Sequence, residues 1–318
     1  MEKVLITGGA GNVGSALAKK LATCGQYQVT VVDNMSTGSI KKLSSVKGQL
    51  EFIKADVNVY NDIASIMLSR SFDYVFHYAA VVGVKRTLEN PILVLDDIEG
   101  IKNILSLSKN TGVKRVFFSS SSEVYGEPVE FPQNEDTTPL NSRLPYAIVK
   151  NVGESFFKSY QREFGLNYTI FRFFNTYGPD QSDDFVVPRF LKLAKTNADI
   201  TIYGDGLQTR TFCHVKDNVE TVFNILHEDL CRNEVINIAN DKEITILELA
   251  QTVLKMTNSK SKIVHLPPLK EGDMRRRLPD NAKMKSILNR ELLSLEEGIQ
   301  SLLVLGDFGH SNYELRAV

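Results

Sequence analysis

The stretch Val4-Leu-Ile-Thr-Gly-Gly-Ala-Gly-Asn-Val-Gly14 decides the fold that the sequence predicts. Its first three residues form an apolar run that predicts a buried strand, and apolar residues recur at helical spacing around and after Gly14. The glycines between them allow a tight turn and a close approach of the backbone to a pyrophosphate. The N-terminus of the following helix offers free N–H groups and a positive dipole end to such an anion. A strand, a glycine-rich loop and a helix in this order are typical of dinucleotide-binding proteins.

Short apolar runs alternate with helical patterns through the rest of the first half. The runs are Val29–Val32, Glu51–Ile53, Tyr74–Phe76, Arg115–Phe118 and Tyr168–Phe171. The helical patterns between them include Asn61–Leu68, Leu93–Ser108 and Tyr146–Phe164. Strands that are buried on both faces have continuous apolar runs, and their alternation with helices indicates a parallel sheet covered on both sides. The predicted fold class is therefore α/β, a doubly wound parallel sheet of the Rossmann type.

The second half predicts a smaller mixed α/β domain. Residues 180–187 are acidic and loop-like, and apolar runs at 201–203 and 235–238 predict short strands. Thr245 and Glu248 have the spacing of a capping box at the start of a helix. The predicted domains are residues 1–175 and 176–305, with a tail at 306–318 and a segment near 211–240 that returns to the first domain.

The composition excludes several classes of protein. The chain has 318 residues, 42% of them hydrophobic, and its 37 basic and 38 acidic residues give a net charge of −1. This content excludes a disordered chain, and the balanced charge argues against nucleic acid or a membrane surface as a partner. Cys24, Cys213 and Cys231 are scattered, and no histidine or cysteine spacing indicates a metal. Without a signal-peptide pattern or a long apolar segment, the expected location is the cytoplasm.

An acidic residue at the end of the second predicted strand sets the expected cofactor. Asp33 follows the glycine loop by about 20 residues, where a carboxylate can bind the ribose hydroxyls of a dinucleotide. The same carboxylate would repel the 2′-phosphate of NADP. The sequence therefore favours NAD over NADP.

Two side chains on one predicted helix can support proton transfer. Tyr146 and Lys150 are four residues apart and share a helix face, just after Pro145. An ammonium about 4 Å from the phenol would lower the pKa of the tyrosine by about three units, into a useful range. The run Ser119–Ser122 follows a predicted strand, where a hydroxyl can bond the reacting oxygen of a substrate.

Taken together, these residues resemble one family. Over about residues 3–300 the chain is similar to the extended short-chain dehydrogenases/reductases, in particular to the nucleotide-sugar epimerases and dehydratases. The landmarks are Thr7–Gly14, Asp33, Asp56-Val57, His77–Ala80, Ser119–Gly126, Tyr146 with Lys150, Arg172–Pro179 and Tyr203–Arg210.

The resemblance implies NAD as cofactor, a nucleotide-diphosphate sugar (a UDP-, GDP- or dTDP-hexose) as substrate, and a homodimer formed through helices. It implies that Asp56 binds the adenine and that Ala79–Val81 lie at the nicotinamide. The implied cofactor-binding residues are Gly8, Gly11, Asn12, Val13, Gly14, Asp33, Asn34, Asp56, Val57, Ala79, Ala80, Val81, Tyr146 and Lys150.

The resemblance also implies roles around the sugar. Tyr146 would remove the proton of the C4 hydroxyl, assisted by Ser121 and Lys150. Asn175, Arg210 and Arg277 would bind the diphosphate, and Tyr203 would stack on the base. The implied substrate-binding residues are Ser121, Ser122, Asn175, Arg189, Tyr203, Arg210 and Arg277.

The reaction that follows C4 oxidation is left open. A 4-epimerase is the commonest outcome in the family and is the favoured prediction. Glu123, however, stands where simple 4-epimerases tend to have a small or neutral residue, so it is either a structural carboxylate or a further catalytic group. In the second case the enzyme is a 4,6-dehydratase or a UDP-glucuronate-type decarboxylase. A net C4 dehydrogenase and, outside enzymes, an NAD-binding sensor or interaction protein remain alternatives. Asp97 also departs from the family, because many relatives have asparagine there.

Overall fold

The computed structural model describes residues 1–268 and 274–306. Its strands are β1 (Glu2–Thr7), β2 (Tyr27–Asp33), β3 (Leu50–Lys54), β4 (Tyr74–His77), β5 (Arg115–Ser121), β6 (Asn167–Phe173), β7 (Thr176–Tyr177), β8 (Ile200–Tyr203), β9 (Thr209–Thr211), β10 (Cys213–His214), β11 (Glu234–Ile238), β12 (Glu243–Thr245) and β13 (Ile263–Leu266). Its α-helices are α1 (Asn12–Thr23), α2 (Tyr60–Arg70), α3 (Val84–Glu89), α4 (Pro91–Leu95), α5 (Asp97–Thr111), α6 (Pro145–Phe164), α7 (Val186–Lys195), α8 (Val215–His227), α9 (Ile246–Thr257), α10 (Ala282–Leu288) and α11 (Leu295–Leu305). Apart from Gly306, the predicted tail lies outside the described residues.

Seven parallel strands form the main sheet, in the order β11-β6-β5-β4-β1-β2-β3. Helices α2, α5 and α6 pack on one face, and α1 and α8 pack on the other. The predicted doubly wound α/β fold is confirmed, and the six strands predicted from apolar runs before residue 172 are all present.

The strand order reverses at β1, and this reversal positions the site. Strands β2 and β3 lie on one side of β1, and β4 to β6 lie on the other. Such a switch point opens a crevice beyond the carboxyl ends of the strands. Thr7 at the end of β1 pairs with His77 at the end of β4, and Ser121 ends the next strand, β5. The topology therefore brings the glycine loop and the serine run to the same edge of the sheet.

Side chains of the central strands are buried on both faces of the sheet. The ring of Phe118 packs against Phe157 of α6, with centroids 4.7 Å apart. Its neighbour Phe117 points to the opposite face and stacks on Phe76, with centroids 4.2 Å apart. This two-sided burial explains why the strands have continuous apolar runs in the sequence.

The second half of the chain builds a smaller core. Helices α7, α9 and α11 pack with β8 around the buried side chains of Phe190, Leu249 and Leu302. Strand β13 pairs with β8, and β12 pairs with β9. The capping box of Thr245 and Glu248 begins α9 as predicted. The domain limits stay a prediction; β11, far along the chain, is the edge strand of the main sheet beside β6.

The predicted helical stretch over residues 93–108 is confirmed, with a break at Asp96 that separates two helices. Helix α4 ends at Leu95, where the N–H of Asp96 bonds to the carbonyl of Ile92 at 3.1 Å. Helix α5 begins at Asp97, whose carboxylate accepts a hydrogen bond from the N–H of Val81 at 2.7 Å.

A buried ion pair holds α6 against the sheet. Arg172 of β6 donates to both carboxylate oxygens of Glu154 on α6, from Nε at 2.9 Å and from Nη2 at 2.7 Å. Ser120 of β5 donates to the same carboxylate at 2.6 Å, and Arg172 also donates to the hydroxyl of Tyr125 at 2.8 Å. The side chains of Arg172 and Glu154 are at most 2% exposed. Since the charges and donors are matched, the pair fixes how α6 lies on β5 and β6.

Removing one partner of this pair tests its importance to the fold. Glu154→Ala leaves the guanidinium of Arg172 buried without a counter-charge. We expect the free energy of unfolding to fall by about 3–5 kcal/mol, as measured by urea denaturation. The control is Glu99→Ala, which removes an exposed carboxylate paired with Lys102 on α5 and is expected to cost less than about 1 kcal/mol. Equal, small losses for the two variants would contradict this role.

Candidate active site

A cleft of about 460 Å³ lies beyond the carboxyl ends of β1, β4 and β5. Most residues predicted for a site line it. They are Gly8, Gly11, Asn12, Val13, Gly14, Asp33, Asn34, Asp56, Val57, Ala79, Ala80, Val81, Ser121, Ser122, Glu123, Tyr146, Lys150, Asn175 and Arg277.

The glycine loop is shaped for close backbone approach. Gly8 has φ +66°, and a Cβ there would lie 2.6 Å from the nitrogen of Ala79. A Cβ on Gly14 would lie 2.4 Å from the carbonyl oxygen of Gly8, so α1 sits directly on the loop. Helix α1 begins after Gly11 without a side-chain cap and without an acidic residue in its first turn. Its first N–H groups therefore remain available to an anion, and this cradle fits the pyrophosphate of a dinucleotide.

The carboxylates of Asp33 and Asp56 line another part of the cleft. Asp33 accepts hydrogen bonds from the N–H of Ala10 at 3.0 Å and of Met35 at 2.8 Å, which ties the glycine loop to the end of β2. Asp56 accepts from the side chain of Asn34 at 3.0 Å. The predicted contacts of Asp33 with a ribose and of Asp56 with an adenine stay predictions, and both side chains line the cleft where such groups would lie.

Ser121, Tyr146 and Lys150 come together at the junction of β5 and α6. The hydroxyl of Ser121 hydrogen-bonds with the phenol of Tyr146 and accepts from the N–H of Glu123 at 3.2 Å. The Nζ of Lys150 lies 5.8 Å from the ring centroid of Tyr146 and 4.9 Å from that of Phe118. A phenol, a hydroxyl and an ammonium thus share one end of the cleft, as the sequence predicts.

The expected acidity of the phenol is wrong for the protein by itself. Burial raises the pKa of Tyr146 above its usual range, and the hydrogen bond with Ser121 opposes this only in part. The carboxylates of Glu123 and Asp97 raise the pKa of Tyr146 further, and the guanidinium of Arg277 lowers it. An ammonium about 4 Å from the phenol lowers its pKa only if the phenolate stays hydrated. Here the loss of water around a phenolate is the dominant effect, and it raises the pKa of Tyr146.

An ion pair that the sequence does not predict lies beside this cluster. The Nη2 of Arg277 donates to the carboxylate of Glu123 at 2.5 Å, and its Nη1 donates to the hydroxyl of Ser122 at 3.2 Å. Arg277 is only 4% exposed. Its Nε is buried and has no hydrogen-bond partner among the described residues. The sequence analysis assigns Glu123 and Arg277 to separate tasks, and the structure joins them at one point of the cleft.

Backbone hydrogen bonds between Gln133 and the segment that follows Arg277 hold this arginine at the cleft. The N–H of Gln133 donates to the carbonyl of Leu278 at 2.7 Å, and the N–H of Asp280 donates to the carbonyl of Gln133 at 2.8 Å. The side chain of Asn237 donates to the carbonyls of Gln133 and Asp280. Sequence reasoning missed this bridge, because pairing between single residues far apart in the chain leaves no periodic pattern.

Three of the residues predicted to bind substrate are not part of the cleft lining that the described residues form. They are Arg189, Tyr203 and Arg210. Arg189 lies on α7, near Tyr203 at the end of β8. Arg210 lies on β9, opposite Ile244 of β12, and donates to the carbonyl of Thr209. Asn175 does line the cleft, although its amide donates to the carbonyl of Thr211 at 3.0 Å. The substrate contacts of these residues stay predictions.

The acidic segment at residues 180–187 borders the cleft as well. Asp180 forms an ion pair with Lys19 of α1 at 2.8 Å, and Phe185 lines the cleft close to α7.

No group of three or more metal-ligating side chains occurs within residues 1–268 and 274–306. In the same part of the chain, no helix combines the length and the apolar character needed to cross a membrane.

Comparison with known proteins agrees with this geometry. The model of the NAD-dependent epimerase/dehydratase family matches residues 4–239. The UDP-N-acetyl-α-D-glucosaminuronate decarboxylase of Bacillus cytotoxicus is 37% identical over 317 residues, which cover 95% of this chain and 97% of that protein. UDP-glucuronic acid decarboxylase 1 of Danio rerio is 35% identical over 310 residues, covering 95% of this chain and 72% of that protein.

A solved structure gives the same result for the fold. The UDP-glucose 4-epimerase of Thermotoga maritima, solved with UDP-glucose, superposes with a TM-score of 0.89 at 33% identity. The match covers 96% of this chain and 99% of that one. With its glycine cradle, its Ser121–Tyr146–Lys150 cluster and these relatives, the chain belongs to the NAD-dependent epimerase/dehydratase family and is an enzyme that uses NAD.

Proposed function

We propose that this enzyme oxidises C4 of a UDP-linked hexuronic acid and then removes the carboxyl group as CO2. The ion pair of Arg277 and Glu123 beside Tyr146 carries the proposal. A 4-epimerase, which the sequence favours, changes the substrate at C4 alone and needs proton transfer there. Burying the guanidinium of Arg277 next to that point is costly, so its pairing there with the partly exposed Glu123 favours a step at a second carbon. The two decarboxylases among the relatives support the same reaction.

The C4 oxidation uses the groups at the end of β5 and the start of α6. Tyr146, as the phenolate, takes the proton of the C4 hydroxyl, and the hydroxyl of Ser121 hydrogen-bonds to the same oxygen. When bound, NAD supplies the hydride acceptor for C4. Burial raises the pKa of Tyr146, and the hydrogen bond with Ser121 and the charge of Arg277 oppose that rise in part.

A ketone at C4 turns the uronic acid into a β-keto acid. The bond between C5 and the carboxyl carbon breaks, its electron pair forms a C4–C5 enolate, and CO2 leaves. Ser121 and the now neutral Tyr146 donate hydrogen bonds to the enolate oxygen. The guanidinium of Arg277, with its unused Nε, can hold the carboxylate until the bond breaks. A proton from solvent water then adds to C5, and Tyr146 returns its proton to the C4 oxygen, while bound NAD would supply the hydride that restores C4.

We also propose that two copies pair through the outer faces of α4 and α6. Large apolar side chains are exposed on both helices, with Ile92 on α4 at 71% and Phe164 on α6 at 50%. A contact between copies would take such side chains out of water. We expect sedimentation of the 35.6 kDa chain to give twice that mass, and Ile92→Glu with Phe164→Glu to give the single-chain mass. An unchanged mass in the double variant would place the contact elsewhere.

The reaction can be tested directly on candidate substrates. UDP-glucuronate, UDP-N-acetylglucosaminuronate and UDP-glucose are incubated with the enzyme and NAD in D2O, and the products are followed by NMR. We expect CO2 release from at least one uronate, with one deuterium at C5 of the product, since the enolate takes its proton from exchangeable groups. C4 epimers formed without deuterium at C5 and without CO2 would instead establish a 4-epimerase.

Substituting the buried arginine separates the two chemical steps. In Arg277→Met we expect CO2 release to fall by about a hundredfold or more, because the carboxylate of the substrate loses the guanidinium that holds it. Reduced nicotinamide, followed by its absorbance, still forms in a single turnover of this variant. The matched control is Arg276→Met, since the neighbouring Arg276 is exposed and pairs with Glu243 on another strand. Equal losses in both variants would contradict the role of Arg277.

A further inference from the structure

Asp97 is a buried carboxylate without an ion pair. It opens α5, is 9% exposed and lines the same cleft as the cluster of Ser121, Tyr146 and Lys150. One oxygen accepts from the N–H of Val81 at 2.7 Å, and the other accepts from the side chain of Asn58 at 3.4 Å. Among the residues that the structure describes, no lysine or arginine lies within ion-pair distance of it. Such a carboxylate is costly to bury unless a positive charge faces it.

Lys150 lines the same cleft and can supply this positive charge. It is only 4% exposed, and its Nζ lies over the rings of Phe118 and Tyr146. The titratable groups around it come from three elements: Asp97 from α5, Tyr146 from α6 and His77 from β4. His77 is neutral, because burial lowers its pKa to about 3, with a further contribution from the charge of Lys150.

We propose that Asp97 is the counter-charge that keeps Lys150 cationic in the closed interior of the cleft, and thus a positioning residue for proton transfer at C4. Burial lowers the pKa of Lys150 to about 8, and Asp97 opposes this shift. In turn, Lys150 helps to keep the buried carboxylate of Asp97 ionised, against the effect of burial. Without Asp97, the ammonium loses its proton at a lower pH, where the enzyme needs its charge.

Asp97 also has a mechanical contact that can be separated from its charge. Its bond to Val81 holds the segment Ala79–Val81 at the cleft, and Asn58 connects it to Asp56, whose carboxylate accepts from the N–H of Asn58 at 2.9 Å. An asparagine at position 97 keeps an oxygen that can accept from Val81, removes the charge and replaces the oxygen that accepts from Asn58 by an NH2 group. Alanine at the same position removes both. The two variants therefore distinguish a counter-charge from a simple backbone anchor.

The charge of Lys150 can be measured without any substrate. Protein labelled with 13Cε-lysine is titrated by NMR, and the Lys150 resonance is assigned as the one missing from Lys150→Met. Removing a nearby negative charge lowers the pKa of a lysine, so in Asp97→Asn and Asp97→Ala we expect the titration midpoint to fall by about half a unit or more. Glu99→Gln, which alters an exposed carboxylate on the same helix, leaves the midpoint unchanged. An unchanged or raised midpoint in Asp97→Asn overturns the proposal.

A second readout follows turnover against pH. Asp97 raises the pKa of both Lys150 and Tyr146, so its neutralisation lowers both. Both limbs of the kcat/KM profile of Asp97→Asn should therefore move to lower pH. Glu123, Arg277 and Ser121 also act on Tyr146 and are unchanged in this variant. Lower activity with unmoved limbs would reduce Asp97 to a backbone anchor and overturn the proposal. The NMR titration keeps its meaning even if the enzyme proves to be an epimerase.

Discussion

The ion pair of Arg277 and Glu123 joins two segments that lie 154 residues apart at one point of the cleft. Arg277 can be buried because two of its guanidinium nitrogens donate hydrogen bonds, one to the carboxylate of Glu123 and one to the hydroxyl of Ser122. A bridge between Gln133 and Pro279 holds the segment that carries the arginine. The proposed decarboxylation depends on this contact, since the remaining groups at the site suffice for C4 oxidation alone.

The fold holds α6, which carries Tyr146 and Lys150, in a single position. A Cβ on Gly153 would lie 2.6 Å from the ring of Phe118, so α6 packs closely on β5. One residue further along, Glu154 binds Ser120 of β5 and Arg172 of β6. Because Tyr146 and Lys150 belong to the same helix, these contacts also place the phenol and the ammonium against Ser121. The interactions that stabilise the fold are therefore the ones that hold the geometry of the site.

Local patterns account for what the sequence could predict. Continuous apolar runs and the glycine loop predict the parallel sheet, and the four-residue spacing of Tyr146 and Lys150 predicts a shared helix face. The pairing of Arg277 with Glu123 has no such pattern, because it arises from the folded path of the chain. The sequence predicts a lowered pKa for Tyr146, whereas burial raises it. The reason is related, because desolvation depends on what surrounds the phenol in three dimensions.

The position of the substrate carboxylate tests the proposed chemistry most directly. A crystal structure of the Tyr146→Phe variant with NAD and UDP-glucuronate gives the distance between that carboxylate and the guanidinium of Arg277. We expect a carboxylate oxygen within hydrogen-bond distance of Arg277, on the side of its free Nε. If Arg277 instead binds the diphosphate and the carboxylate lies away from it, decarboxylation by this cluster is contradicted.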